Sequence, residues 1–304
     1  MTERRFALIT GGNRGMGYAT AVKLAQRGLQ VVIATRDERR GTQAAEALKR
    51  AVPGAAAEAL ALDLSSFASI RAAAAEYQRR GYPLQVLLNN AGLGTYPPPV
   101  RFTADGHELI FGTNHLGHFL FAYLLRDVLK RSAPARVVVV SSRRHIPDYA
   151  GGQPVDFDFD NLRGEKYFKA ATCYCNSQLA NVWFAYELQR RLAGTGVTVD
   201  AVCPGFVPAT IAENRAGLER FFYRAIMSRM PFANTVERAA EMYAQVATEP
   251  KWAAGGQFIA DFRAIQSSPE SYDAAKARCL WDESLRWCGL AADAVTSATP
   301  SAAV

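Results

Sequence analysis

The sequence predicts an α/β fold: a doubly wound parallel sheet with helices on both faces. Two observations carry that prediction. Apolar, β-rich runs alternate along the chain with stretches of helical pattern, as parallel strands joined by crossover helices require. Between the first run and the first helical stretch lies a glycine cluster, Thr10-Gly-Gly-Asn-Arg-Gly-Met-Gly17.

The elements follow in order. A first strand over 7–10 reads Ala-Leu-Ile-Thr and leads through the glycines into a helix over 15–27. A strand over 30–35, Gln-Val-Val-Ile-Ala-Thr, precedes a helix over 41–51. Strand 57–62 precedes helix 66–79, and strand 85–89 precedes a long helical stretch over 103–131. The valine run at 136–141 is the fifth strand, and its helix covers 172–193. Strand 198–203, helix 235–248 and strand 257–260 complete the alternation. Two segments interrupt it, 143–171 and the Phe-, Tyr- and Met-rich 206–231. With no internal repeat and no linker, residues 1–290 read as a single domain, and the small, polar 291–304 as a disordered tail.

Composition narrows the function classes. The chain has 304 residues, 49% hydrophobic and 21% charged, as in a soluble globular protein. No apolar run approaches the roughly 18–20 residues of a membrane span, and no signal segment precedes the first strand. A cytoplasmic location is therefore expected. Five cysteines, odd in number and without metal-ligand spacing, read as isolated reduced thiols, and no metal site is expected. The net charge of +7 is spread over helices without a basic–aromatic stripe, so nucleic-acid binding is not expected.

Gly11, Gly15 and Gly17 form a G-x-x-x-G-x-G pattern between strand and helix. Such glycines permit a tight turn and a close backbone approach to a pyrophosphate at the positive end of the helix. Asn13, Arg14 and Met16 share that turn. The architecture is therefore expected to be Rossmann-type. An acid at the end of the second strand would select NAD, but the chain reads Ala34-Thr35-Arg36-Asp37. Arg14 and Arg36 suit a 2′-phosphate, which favours NADP(H). Asp37 is the counter-argument, unless it merely begins the next turn.

Further motifs stand at the ends of successive strands: Asp63-Leu64, Asn89-Asn90-Ala91-Gly92, Ser142 after the valines, and Pro204-Gly205. With Asn114 in Gly-Thr-Asn-His-Leu-Gly-His-Phe and Tyr174 in Tyr-Cys-Asn-Ser-Gln, they make the chain similar to the short-chain dehydrogenase/reductase family over about residues 5–290. The phrases N-H-L-G-H-F and Y-C-x-S-x-L-A-N, the long serine-to-tyrosine spacing and the ending Asp273–Trp281 resemble its retinol dehydrogenase and protochlorophyllide reductase branch. The amino-terminal membrane anchor of many vertebrate retinol dehydrogenases is not expected here.

The resemblance implies roles. Tyr174 exchanges a proton with the substrate oxygen, Ser142 orients that oxygen, and Asn114 holds a relay water. Asp63-Leu64 meets the adenine, Asn90, Ala91 and Gly92 flank the cofactor, and Pro204, Gly205 and Val207 face the nicotinamide carboxamide. The family's threonine after Pro-Gly falls at Ala209, with Thr210 one place later, so either Thr210 makes that contact or the segment sits differently. Each position also has a plainer reading: Asn114 as a helix kink, Ser142 as a strand-end serine, Tyr174 as a packed aromatic. Their joint order argues against coincidence. His115 and His118 read as packed or surface residues, and Cys173 and Cys175 as packing residues.

One departure bears on the chemistry. The family pattern Tyr-x-x-x-Lys places lysine where this chain has Gln178, on the same helix face as Tyr174. An amide hydrogen-bonds a ribose but carries no charge. A cation about 4 Å from a phenolate, at an effective dielectric of about 20, contributes on the order of 4 kcal/mol, or up to about 3 pK units. Its loss weakens alcohol oxidation, which needs the phenolate, more than carbonyl reduction, which needs the phenol. Lys166, Lys169, Arg143 and Arg144 are candidate replacements.

Three readings follow. The first is an NADPH-dependent reductase of a bulky carbonyl or activated double bond, with Tyr174 as acid. The second is a repurposed, non-redox cyclase, isomerase or dehydratase that keeps or has lost NADP(H). The third is a non-catalytic NADP(H) sensor. The aromatic segment 206–232 would serve as a lid over a lipophilic, polycyclic or polyketide-like substrate, or as a contact in a homo-oligomer.

Overall fold

A computed structural model of the chain describes residues 4–147, 157–163, 165–166, 168–213 and 217–291. Eight strands form one sheet: β1 (Phe6–Thr10), β2 (Gln30–Thr35), β3 (Ala57–Ala61), β4 (Val86–Asn89), β5 (Ala135–Val140), β6 (Val197–Cys203), β7 (Phe258–Ala260) and β8 (Arg263–Ile265). Their spatial order is β3-β2-β1-β4-β5-β6-β7-β8. The first seven pair in parallel, and β8 runs antiparallel to β7. The chain first builds outward from β1 through β2 to β3, then returns to place β4 on the other side of β1. That reversal opens a crevice beyond the carboxyl ends of β1 and β4, the usual ligand position in such sheets.

Helices α1 (Gly15–Gln26), α2 (Glu38–Ala51) and α3 (Phe67–Arg79) follow the first three strands. A turn, α4 (Leu109–Phe111), a π-helical segment (Gly112–Leu116) and α5 (Gly117–Arg131) follow β4. Then come α6 (Ala170–Arg191), α7 (Pro208–Glu213), α8 (Gly217–Phe221), α9 (Val236–Thr248) and α10 (Ala274–Trp287). One sheet face packs on α1, α2 and α9 through residues such as Leu24, Leu48 and Tyr243. The other packs on α3, α5, α6 and α10 through Ile70, Phe119, Phe184 and Trp281. Every residue of β1 is buried, as a strand covered on both faces must be.

The predicted 103–131 helix begins later than its pattern suggests. Thr103 N donates to His107 O at 2.8 Å, and Phe102 bridges Glu108, so 102–108 is a closed loop. The buried Glu108 carboxylate then accepts from Ile110 N at 2.9 Å and Phe111 N at 2.8 Å, and this cap fixes the helix start at Leu109.

Strand β8 and helix α10 add to the predicted set. Asp273 caps α10, which buries Ala277, Leu280, Trp281, Ser284 and Leu285 at helical spacing. Trp281 meets Phe119 edge-on at 4.9 Å and stacks on Phe184 at 6.2 Å. Removing that ring costs about 3–5 kcal/mol. Of the predicted tail, residues 292–304 lie outside the described residues, as does 148–156 of the 143–171 segment.

Candidate functional site

The glycine turn lies at the topological switch. Gly11 and Gly15 take positive φ values of 65° and 54°, which only glycine adopts without strain. A Cβ at Gly17 would lie 2.4 Å from Gly11 O and 2.6 Å from Asn90 Nδ2, so no side chain fits there. Asn90 Nδ2 donates to Thr10 O at 2.9 Å, and the Asn90 and Ala91 amides donate to Thr10 Oγ1 at 2.9 and 3.0 Å. The ends of β1 and β4 are thus tied across the crevice. Arg14, exposed at the amino end of α1, makes no side-chain cap there, which leaves amide donors at the positive end of the helix. Asn13 and Met16 flank it half-buried. The glycine cradle and uncapped helix end fit a dinucleotide pyrophosphate.

The predicted adenosine-end residues stand just past β2 and β3, the next strands outward from β1. Arg36 is exposed just past β2. Asp37 is the cap of α2: its Oδ1 accepts from Arg40 N at 3.0 Å, and its carboxylate pairs with the Arg40 guanidinium at 3.2 Å. Its carboxylate is thus engaged in starting the next helix. Asp63 Oδ1 accepts from Ser65 N at 2.9 Å and Ser65 Oγ at 2.6 Å. Leu64 is buried where α5 begins, and a Cβ at Gly117 would lie 2.5 Å from Leu64 O.

The predicted catalytic residues converge around α6. Tyr174 is half-buried, with the Ser142 hydroxyl close enough to act on its phenol. Burial pushes the phenol up to about 12, against the opposing pull of the Ser142 hydroxyl and the Arg144 charge. Ser142 sits in extended backbone beyond β5, its Oγ accepting from Arg144 N at 3.3 Å. Its carbonyl accepts from His145 Nδ1 at 2.5 Å, and Ser268 N donates to His145 Nε2 at 3.2 Å.

Asn114 lies in the π-helical segment, 2% exposed. Its carboxamide binds Leu93, just past Gly92, and Nδ2 also donates to Ser177 Oγ at 3.1 Å. Ser177 in turn donates to Tyr174 O at 2.8 Å. Gln178, 6% exposed, lies one turn beyond Tyr174 with Nε2 3.4 Å from Ser177 Oγ. Its backbone carbonyl accepts from Ser141 Oγ at 2.8 Å, which pins α6 to the end of β5.

Of the four basic residues named as replacement cations, Arg144 is the one whose charge bears on the phenol, and it also acts on the Cys175 thiol. Arg143 pairs with Asp261 at 2.9 Å, and Lys166 with Asp160 at 3.9 Å. Lys169 is exposed at the amino end of α6.

On the far wall, Pro204 O accepts from Asn234 Nδ2 at 2.6 Å, and Gly205 takes φ 75°. Val207 is buried, and the Thr210 hydroxyl is enclosed without a partner among the described residues.

The hydrogen bonds of three members of this network lie beyond the sequence reading. His118, expected only as a packed or surface residue, is buried and engaged on both ring nitrogens. Its Nδ1 donates to Asn114 O at 3.0 Å, and Thr10 Oγ1 donates to its Nε2 at 2.9 Å. The Thr10 and His145 contacts have no counterpart in the sequence pattern. The available signal was the i, i+4 spacing of Asn114 and His118 on one helix.

The doubly wound sheet with a glycine turn at its switch point is of the dinucleotide-binding α/β class. The chain belongs to the short-chain dehydrogenase family: the model described as "short chain dehydrogenase" matches residues 5–153. Human retinol dehydrogenase 11 is 37% identical over 290 residues, covering 95% of this chain and 87% of that protein. Human retinol dehydrogenase 12 is 38% identical over 287 residues, covering 94% and 87%. Among solved structures, a Mycobacterium paratuberculosis protein of uncharacterized function aligns with TM-score 0.69 and 30% identity, covering 95% of this chain and 94% of its own. The Pseudomonas aeruginosa RhlG/NADP complex aligns with TM-score 0.67 and 25% identity, covering 84% and 94%. A single-residue variant of actinorhodin polyketide ketoreductase with NADPH aligns with TM-score 0.64 and 28% identity, covering 85% and 95%. No helix among the described residues is long and apolar enough to cross a membrane.

Proposed function

We propose that the chain is an NADP(H)-dependent reductase of a bulky lipophilic carbonyl or activated double bond, with Tyr174 as general acid. The observation that carries this reading is the phenol at α6 beside Ser142, with the neutral Gln178 one turn on and burial raising it to about 12. At neutral pH such a group is protonated, so it is suited to give a proton to a developing alkoxide and poorly suited to take one from an alcohol. NADPH, when bound, supplies the hydride. Ser142 holds the substrate oxygen against Tyr174 Oη, Asn114 and Ser177 hold the α6 backbone at Tyr174, and Gln178 offers its amide to the nicotinamide ribose.

The preference for NADP(H) rests on Arg14 and Arg36 beside the cradle and on Asp37 being spent as a helix cap. The NADP- and NADPH-bound neighbours support it. The lipophilic substrate class rests on the retinol dehydrogenase relatives and on the apolar segment 206–232, read as a lid on a single domain over residues 1–290. NADPH consumption with a panel of lipophilic aldehydes and ketones tests the proposal. Turnover that is lost in Tyr174→Phe supports it; no consumption across the panel by a protein that binds NADPH overturns it in favour of a non-redox activity.

A further inference from the structure

Between β6 and α9 the chain makes an excursion whose two ends are pinned together. Phe206 bridges Ala233, Asn234 N donates to Phe206 O at 2.6 Å, and the Phe206 and Phe232 rings lie 5.7 Å apart. Beyond that pinch, none of residues 217–232 is buried. Leu218 is 83% exposed, Phe221 62% and Phe232 60%, with Phe222, Ile226 and Met230 exposed beside them. Only three other large hydrophobic side chains among the described residues are comparably exposed: Leu93, Phe102 and Tyr272. An apolar surface gathered into one excursion marks an interaction site, whereas scattered exposed residues do not.

The charges of the excursion say what it meets. Leu218, Phe221, Phe222 and Ile226 follow one another at helical spacing, and the exposed Arg220, Arg224 and Arg229 are interleaved with them against a single acid, Glu219. A second copy seated on this face would set arginines against arginines, on a chain already carrying +7. An anionic bilayer surface accepts both features: aromatic and aliphatic side chains enter the interface while guanidinium groups meet the headgroups. We propose that residues 217–232 dock the protein on an anionic lipid surface. The docking face lies within the segment that the redox reading takes as a lid, but lipid binding needs neither cofactor nor turnover, so its failure and the failure of that reading are distinguishable.

Flotation of the full chain with vesicles tests it at low ionic strength, using phosphatidylcholine alone or with about 30 mol% phosphatidylserine. Expected is co-flotation with the anionic vesicles, little with the neutral ones, and release by salt. Replacing Arg220, Arg224 and Arg229 by Gln removes three charges at about 1 kcal/mol each, lowering partitioning on the order of 100-fold. Phe221→Ser with Phe232→Ser, at exposed positions where the melting temperature should hold, also releases the protein. Equal binding to both vesicles, or variants that bind like the unaltered chain, would overturn the proposal. So would self-association that the two serine substitutions abolish while vesicles capture nothing.

Discussion

Asn114 grips the backbone of Leu93 at both ends: its Oδ1 accepts from Leu93 N at 2.7 Å, and its Nδ2 donates to Leu93 O at 3.0 Å. The second Nδ2 proton goes to Ser177 Oγ, so one buried amide joins the loop after β4 to the helix carrying Tyr174. Asn114→Ala leaves these groups unpaired and is expected to lower stability by about 2–3 kcal/mol. Asn114→Asp, which keeps the size but loses both donors, is expected to do the same and to reduce kcat. Denaturation midpoints and turnover measured together check this; an Asp variant as stable as the unaltered chain contradicts it.

Tyr174→Phe is expected to lower kcat by about 100-fold or more, while NADPH affinity stays nearly unchanged. The hydroxyl acts on the substrate oxygen and not on the dinucleotide. Retention of more than about a tenth of kcat would remove Tyr174 as the acid, since general acid catalysis contributes at least roughly 100-fold.

Gln178→Lys would restore a cation one helical turn from Tyr174. Oxidation of a lipophilic alcohol should rise more than reduction of the matching aldehyde, and its pH profile should move to lower pH. A lysine at this buried site also costs stability unless it is paired, so melting temperature is read beside both rates. An unshifted profile in a folded variant would show that charge at position 178 does not govern the phenol.

The existing cation is expected to matter in the opposite sense. Arg144 favours the phenolate of Tyr174, so Arg144→Gln should move the oxidation pH profile upward. Arg14→Ala and Arg36→Ala should each weaken NADPH binding by about 10- to 100-fold and leave NADH nearly unaffected, as expected for charge-assisted bonds to a 2′-phosphate. Titration of both cofactors decides it; tighter NADH than NADPH binding in the unaltered chain refutes it.

Stability should fall in mild acid. Burial lowers His118 and His145 to about 4 and His115 to about 3, each from an ordinary value of 6.5. Each is neutral in the fold and takes its proton more readily when unfolded. Their contribution is complete above pH 6.5 and is lost as pH falls toward 4. At pH 5 each accounts for on the order of 2 kcal/mol. Urea midpoints at pH 7 and pH 5 measure the loss, and His118→Asn should reduce the difference.

Periodicity and turn chemistry are local, and they sufficed for seven strands, most helices and the glycine turn, while the strand order that opens the crevice came only with the fold. Alternating apolar runs need no partner to be recognised, and glycines at 11, 15 and 17 declare a close approach whatever approaches. The start of the helix at Leu109 was not legible, because a carboxylate cap at the preceding residue overrides the pattern around it. Tertiary structure alone decided which of four basic residues reaches Tyr174, that Asp37 is consumed in a cap, and that Asn114 spends its amide on Leu93 and Ser177. It also decided that Thr10 and His118, 108 positions apart, share a hydrogen bond. Such contacts join distant positions through side-chain directions that exist only once sheet and helices have packed.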